Sequence, residues 1–262
     1  MGELRAVAET PLLEARGLTK RYGHVQALRG ANFTVYSGEV VALVGDNGAG
    51  KSTLVKCLSG TTQPDGGEIL FDGKPVSFAS PTEAQQAGIE TVYQDLALAQ
   101  DLTPAANLYL GRELKHSGVL GVLGVLDRRS MRAEAREAFQ RLGITLEDDN
   151  APVATLSGGQ RQSVAVARAV AWASRVIFMD EPTAALGVVQ RERVEAVIRS
   201  VRDSGIAVVL ISHSMPEVMA VADRIEVLRL GERVATFQAS EATLEGLVAA
   251  MTGALSNGKE AA

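Results

Sequence analysis

The sequence predicts an α/β fold built around a covered, largely parallel sheet. The runs Val40–Val44, Val176–Met179 and Val208–Ile211 are apolar at every position, as expected of strands buried on both faces. Helix-length segments alternate with strands through the final third of the chain, the pattern of a parallel sheet with helices on its faces. A glycine-rich loop follows the first run and two acids follow the second, at the sheet edge where ligands bind in such folds.

The first third reads as strands and turns. Leu12–Ala15 and Phe33–Tyr36 are short β-like runs, and Ser37-Gly38-Glu39 turns into Val40–Val44. Glu68–Phe71 and Lys74–Val76 flank Asp72-Gly73, a pair that tolerates positive φ and so suits a hairpin turn. The middle is helical in character: Pro81–Ala87, Pro104–Gly111 and the Ala-, Glu- and Arg-rich Ser130–Leu142. Roughly Asp95–Thr155 reads as a mostly helical insertion. Alternation then resumes, with strand Val176–Met179, helix Val188–Asp203, strand Ala207–Ile211, helix Met215–Ala222 and strand Ile225–Leu230. Within the insertion, Gly118–Leu126 repeats Gly-Val-Leu three times. It reads either as a turn or short helix packed inside the insertion or as an apolar surface that docks a partner.

Acidic residues outnumber basic ones, 31 to 26, giving a formal charge of −5. With no basic excess, a nucleic-acid coat protein is disfavoured. A single cysteine, Cys57, excludes an internal disulfide and reads as buried packing behind the glycine-rich loop. The first residues lack the apolar core of a secretion signal, and no apolar run approaches the ~20 residues that cross a bilayer.

Three motifs carry chemistry. Gly45-Asp46-Asn47-Gly48-Ala49-Gly50-Lys51-Ser52-Thr53 matches G-x-x-x-x-G-K-[ST] and lies between strand Val40–Val44 and a helix predicted over Lys51–Ser59. Its glycines let backbone N–H groups close around phosphate oxygens, and the helix N-terminus adds its dipole. Lys51 is positioned to reach the β- and γ-phosphates, and Ser52 to hold Mg²⁺. At the end of strand Val176–Met179, Asp180 can help hold that metal, while Glu181, one residue on, can deprotonate a water aimed at the γ-phosphate. Leu156-Ser157-Gly158-Gly159-Gln160 precedes a helix over Val164–Ala173, with Ser157 a good N-cap and two glycines leaving the helix start open to an anion.

Leu156–Gln160 resembles the signature of ABC-type ATPases, and with it the remaining diagnostic blocks fall in family order across roughly residues 12–251. The resemblance implies that Tyr22 stacks on adenine. It implies that Gln94 senses Mg²⁺ and the γ-phosphate and joins the core to the helical insertion, and that His213 contacts the γ-phosphate. The cofactors would be ATP and Mg²⁺. ATP would lie against Tyr22, Gly45–Thr53 and the Ser157–Gln160 segment of a second subunit. The metal would lie near Ser52, Gln94 and Asp180. The implied fold is a P-loop NTPase of ABC type in residues 1–253: a mixed-sheet core with an N-terminal antiparallel β subdomain (about 12–94 and 156–251), a helical subdomain at about 95–155 and a flexible tail at 254–262. Gly187 departs from the pattern, standing where the family usually has the aspartate that communicates across the dimer.

Details such as Glu181–Gln190 and Val227–Gly231 look like the monosaccharide importers of the ribose, xylose and fructose kind. The implied function is the ATPase subunit of such an importer. Its partners would be membrane permease subunits, a second ATP-binding subunit (the same chain or a homologue) and, indirectly, a periplasmic or extracellular sugar-binding protein. No nucleic acid is implied, and the expected place is the cytoplasmic face of the membrane, peripheral through the permease. Two readings stay open: an importer of another small solute, and a soluble, non-transport ABC ATPase.

Overall fold

In the computed structural model, residues 10–144, 146, 148–184 and 186–254 are described. The tail expected at 254–262 therefore lies outside them except for Ala254. β1 (Leu13–Tyr22) and β2 (Val25–Val35) form an antiparallel hairpin much longer than the two short runs legible in the sequence. Register shifts after Ala15, Leu18 and Lys20 interrupt the apolar alternation and hide the strand. β4 (Gly66–Phe71) and β5 (Lys74–Val76) complete a sheet of order β2-β1-β4-β5. Its buried face, with Leu13, Leu18, Leu28 and Phe33, packs in one cluster with the core residues Leu43, Leu54 and Phe178.

β3 (Val40–Val44), β6 (Ile89–Val92), β7 (Val176–Asp180), β8 (Ala207–Ile211), β9 (Arg224–Arg229) and β10 (Glu232–Gln238) form the second sheet, in order β10-β9-β3-β8-β7-β6. Five strands are parallel and β10 closes one edge antiparallel. β10 was not legible because every residue in it is exposed or half-exposed, so it forms no buried run. α9 (Leu244–Thr252) was not expected either. It is capped by Thr243 and sets Leu247 and Ala250 in the cluster with Ile225 and Val227 of β9.

α1 (Lys51–Leu58) and α2 (Pro81–Gln86) precede β6, and α3 (Pro104–Leu108), α4 (Val119–Val122) and α5 (Arg128–Arg141) follow it. α6 (Gly158–Trp172), α7 (Val188–Asp203) and α8 (Met215–Val221) alternate with the later strands. Leu108 and Tyr109, Met131 and Phe139 of α5, and Val164 of α6 share one apolar cluster. Trp172 donates from Nε1 to the Leu108 carbonyl at 2.7 Å and meets the Tyr109 ring edge-on. The reading of Gly118–Leu126 as packed inside this cluster is overturned. α4 buries none of its residues, and Val122 and Leu123 are 89% and 72% exposed. Among the described residues, no helix is long and apolar enough to cross a membrane.

Candidate active site

Four loops leave the same edge of the second sheet because their parallel strands end level. Leu43 and Asp180 both pair with Ile211, and Val92 pairs with Met179. The residues just past β3, β6, β7 and β8 are Gly45, Gln94, Glu181 and His213, and the sheet register brings all four to that edge.

The loop after β3 suits a polyphosphate. Gly50 caps α1 with φ 104° and offers no side-chain cap, so the first N–H groups of α1 keep no intrahelical acceptor. A β-carbon at Gly45 would come within 2.2 Å of the Leu228 carbonyl oxygen, and one at Gly50 within 2.6 Å of that of Ala27. Only glycine fits this close approach. The N–H of Gly231 also donates to Ala49 O, and Arg29 N to Gly231 O, tying β2 and the β9–β10 turn to the loop. Lys51 Nζ donates to the carbonyls of Gly45 (2.6 Å) and Asp46 (3.1 Å), which holds the ammonium across the loop mouth. Asn47 N and Ala49 N both donate to Asp46, bracing the tip around Gly48. Burial lowers the Lys51 pKa, opposed by Glu181, Asp180 and Asp46, so the cation sits within electrostatic reach of both acids after β7.

Asp180 is half-buried; burial first, and Glu181 next, push its carboxyl above the usual range, with Lys51 pulling back. A hard-oxygen donor of this kind, at the sheet edge where the phosphate loop begins, fits Mg²⁺ carried in on phosphates. Glu181 has φ 53°, a left-handed conformation uncommon outside glycine. Its N–H donates to Ile211 O at 2.9 Å, and its carboxylate oxygen Oε1 lies 2.7 Å from His213 Nδ1 and 3.1 Å from His213 N. The acid and the histidine expected from separate motifs thus form one hydrogen-bonded pair.

Ser157 and Gln160 form a reciprocal capping box at the start of α6: Gln160 N donates to Ser157 Oγ (3.2 Å) and Ser157 N to Gln160 Oε1 (2.9 Å). This engages the Gln160 side chain and leaves the N–H groups of Gly158 and Gly159 at the open helix end. Leu156 is buried, Ser157 is exposed and the two glycines are half-exposed, so the segment faces outward rather than into its own chain. Tyr22 is an exposed residue at the end of β1, and Lys20 Nζ lies 5.7 Å from its ring centroid. Gln94 is exposed on a turn two residues past β6. Gly187 is the N-cap of α7, with φ −71° and no side-chain cap.

Two polar residues beside this site were not picked out from the sequence. Gln162 of α6, nearly buried, points Nε2 toward the Glu181 carbonyl at 3.5 Å. Glu217 of α8 is buried and accepts hydrogen bonds from Thr183 and Ser212. A glutamate four residues after His213 was visible, but its inward direction depends on how α8 packs.

A glycine-lined anion loop, a half-buried aspartate and an acid–histidine pair at one sheet edge define a P-loop nucleoside triphosphatase. The chain belongs to the ABC transporter family, whose model matches residues 28–184. It is 52% identical over 257 residues to the fructose import ATP-binding protein FrcA of Rhizobium meliloti, covering 97% of this chain and 99% of that one. It is 44% identical to the xylose/arabinose import ATP-binding protein XylG of Sulfolobus acidocaldarius, over 92% of this chain and 94% of that one. A ribose import ATP-binding protein of Rubrobacter xylanophilus is 46% identical over 93% of this chain, which spans 47% of that relative's length. The solved dimer of the ATP-binding cassette MJ0796, in a post-hydrolysis state bound to ADP and Pi, superposes with a TM-score of 0.75 at 26% identity, covering 87% of this chain and 98% of that one. The chain is an ATP-binding cassette ATPase.

Proposed function

We propose that this chain powers import of a monosaccharide, and that two ATP-binding subunits sandwich each ATP. The observation that carries the sandwich is the outward-facing, capped Ser157–Gly159 end of α6, whose first N–H groups suit an anion. In the pair, the Gly45–Thr53 loop of one subunit holds the phosphates and Tyr22 stacks on the base. The Ser157–Gly159 backbone of the other closes on the γ-phosphate. Ser52, Asp180 and Gln94 would hold Mg²⁺, which would supply neutralisation of the phosphate charge.

The protein's own part in hydrolysis follows from the pair after β7 and β8. Glu181, aimed by the Nδ1–H and N–H of His213, accepts the proton of the attacking water. Lys51 balances the phosphate charge. Loss of the γ-phosphate removes the bridge between subunits and opens the pair. Gln94, between the sheet edge and the helical region, passes that motion on.

Permease subunits are the proposed recipients, with the exposed apolar Gly118–Leu126 lobe among the surfaces that meet them. The proposed place is the cytoplasmic membrane face, with the chain held there by its partners. The similarity to FrcA favours fructose, with ribose, xylose or arabinose as the other sugars. The test is ATP hydrolysis by the chain reconstituted with its permease and sugar-binding protein. Stimulation by one of these sugars supports the proposal, and stimulation by an unrelated solute or by none contradicts it.

A further inference from the structure

A carboxylate taken out of water needs compensation, and a cation is the usual source. Glu217, in the first turn of α8, is 2% exposed, yet both of its partners are neutral hydroxyls. Thr183 Oγ1 donates to one oxygen at 2.8 Å and Ser212 Oγ to the other at 2.6 Å. A glutamate at the third position of a helix commonly turns back to cap its own N-terminus. Here it does not. The N–H of Ser214 is taken by Ser212 Oγ at 3.0 Å instead, and the Glu217 carboxylate turns inward.

The two hydroxyls belong to the loops that matter. Thr183 lies two residues after Glu181, and Ser212 immediately precedes His213. One carboxylate therefore staples the end of β7 to the end of β8, next to the pair in which His213 holds Glu181. Glu181 also sits at φ 53°, a strained conformation that persists only where its surroundings over-determine it. We propose that Glu217 is a positioning residue for hydrolysis, fixing Glu181 and His213 relative to each other through Thr183 and Ser212. The inference rests on the proposed reading of Glu181 as the general base.

Hydrolysis is read with Glu217→Gln, Thr183→Val and Ser212→Ala, each assayed well below its own melting temperature. A positioning role predicts that kcat falls about ten- to a hundredfold with KM for ATP little changed, since small misplacement of a catalytic group has that effect. Thr183→Val keeps the side-chain shape and removes one hydroxyl, so it reports even if Glu217→Gln folds poorly. The deciding variant is Glu181→Gln/Glu217→Gln. It should hydrolyse ATP no more slowly than Glu181→Gln alone, because Glu217 acts through Glu181. Multiplying losses in that variant, or folded single variants with unchanged kcat, would overturn the positioning role. Normal hydrolysis by Glu181→Gln alone would instead sink the reading of the site itself.

Discussion

His213 reaches Glu181 twice at one atom: its Nδ1 lies 2.7 Å and its backbone N–H 3.1 Å from Glu181 Oε1. Glu181 is largely enclosed, with 15% of its side chain exposed, while the His213 side chain is 78% exposed. The Glu181 carboxylate is therefore held from the solvent side by an exposed imidazole. In the proposed mechanism, this pairing leaves Oε2 of Glu181 for the attacking water.

Replacing Glu181 by Gln keeps the shape and removes the basic oxygen. Phosphate release should slow by about 10²- to 10⁴-fold, the usual share of a general base, with nucleotide affinity preserved. His213→Ala should slow it by roughly 10²-fold, since the base loses its aim but not its chemistry. Equal rates for wild type and Glu181→Gln would remove the base from the account.

Cys57 tests the core behind the loop. Burial pushes its thiol up to about 11 from 9.0. In the native protein it should resist thiol reagents at pH 8 and react on unfolding. Between pH 9 and 11 the unfolded chain loses a proton that the folded chain keeps, so stability falls as pH rises, by about 2 kcal/mol at most. Cys57→Ala should lack that part of the decline. Urea melts across the range compare the two, and parallel slopes would count against a buried thiol.

Gly187 should accept the aspartate that is usual in the family. Its φ is negative, and an added β-carbon would press only on Gln190 Oε1, the end of a flexible side chain, at 2.9 Å. Gly187→Asp gives α7 the side-chain cap it lacks, worth a few tenths of a kcal/mol, or about 1 °C in Tm. Calorimetry showing a drop of several degrees would mean that the α7 start is more constrained than its dihedrals indicate.

The apolar lobe yields a prediction about assembly. Val122 and Leu123 touch little of the protein, so Val122→Asp/Leu123→Asp should change stability by less than about 0.5 kcal/mol. ATP hydrolysis by the isolated chain should be unaltered. Co-purification with the permease should fall, and full assembly would free this lobe of the assigned role.

Much of the site was legible because each motif is contiguous and sits where a buried strand ends. Gly45–Thr53 follows β3, Asp180 ends β7 with Glu181 just past it, and His213 follows β8; strand pattern and motif placed the first two, and the family resemblance singled out His213. What stayed hidden depends on other parts of the chain. β1 and β2 are long but bulged, and β10 has no fully buried residue, its Ala235 and Phe237 being only partly covered. α4 carries the residues of a core helix yet stands in solvent. Glu217 looks like a helix-capping acid until α8 is packed against Thr183. The parallel alternation was read correctly, and the antiparallel β10 makes the sheet mixed.

The central claim is that nucleotide is held between two subunits, one offering Lys51 and the other Ser157. Its sharpest test is sedimentation of Glu181→Gln with ATP and Mg²⁺, beside Glu181→Gln/Ser157→Arg. The single variant should sediment at twice the mass of the chain, while the double variant stays monomeric and still binds ATP through its own loop. A Glu181→Gln protein that binds ATP fully and remains monomeric, or a pair undisturbed by Ser157→Arg, would contradict the shared site.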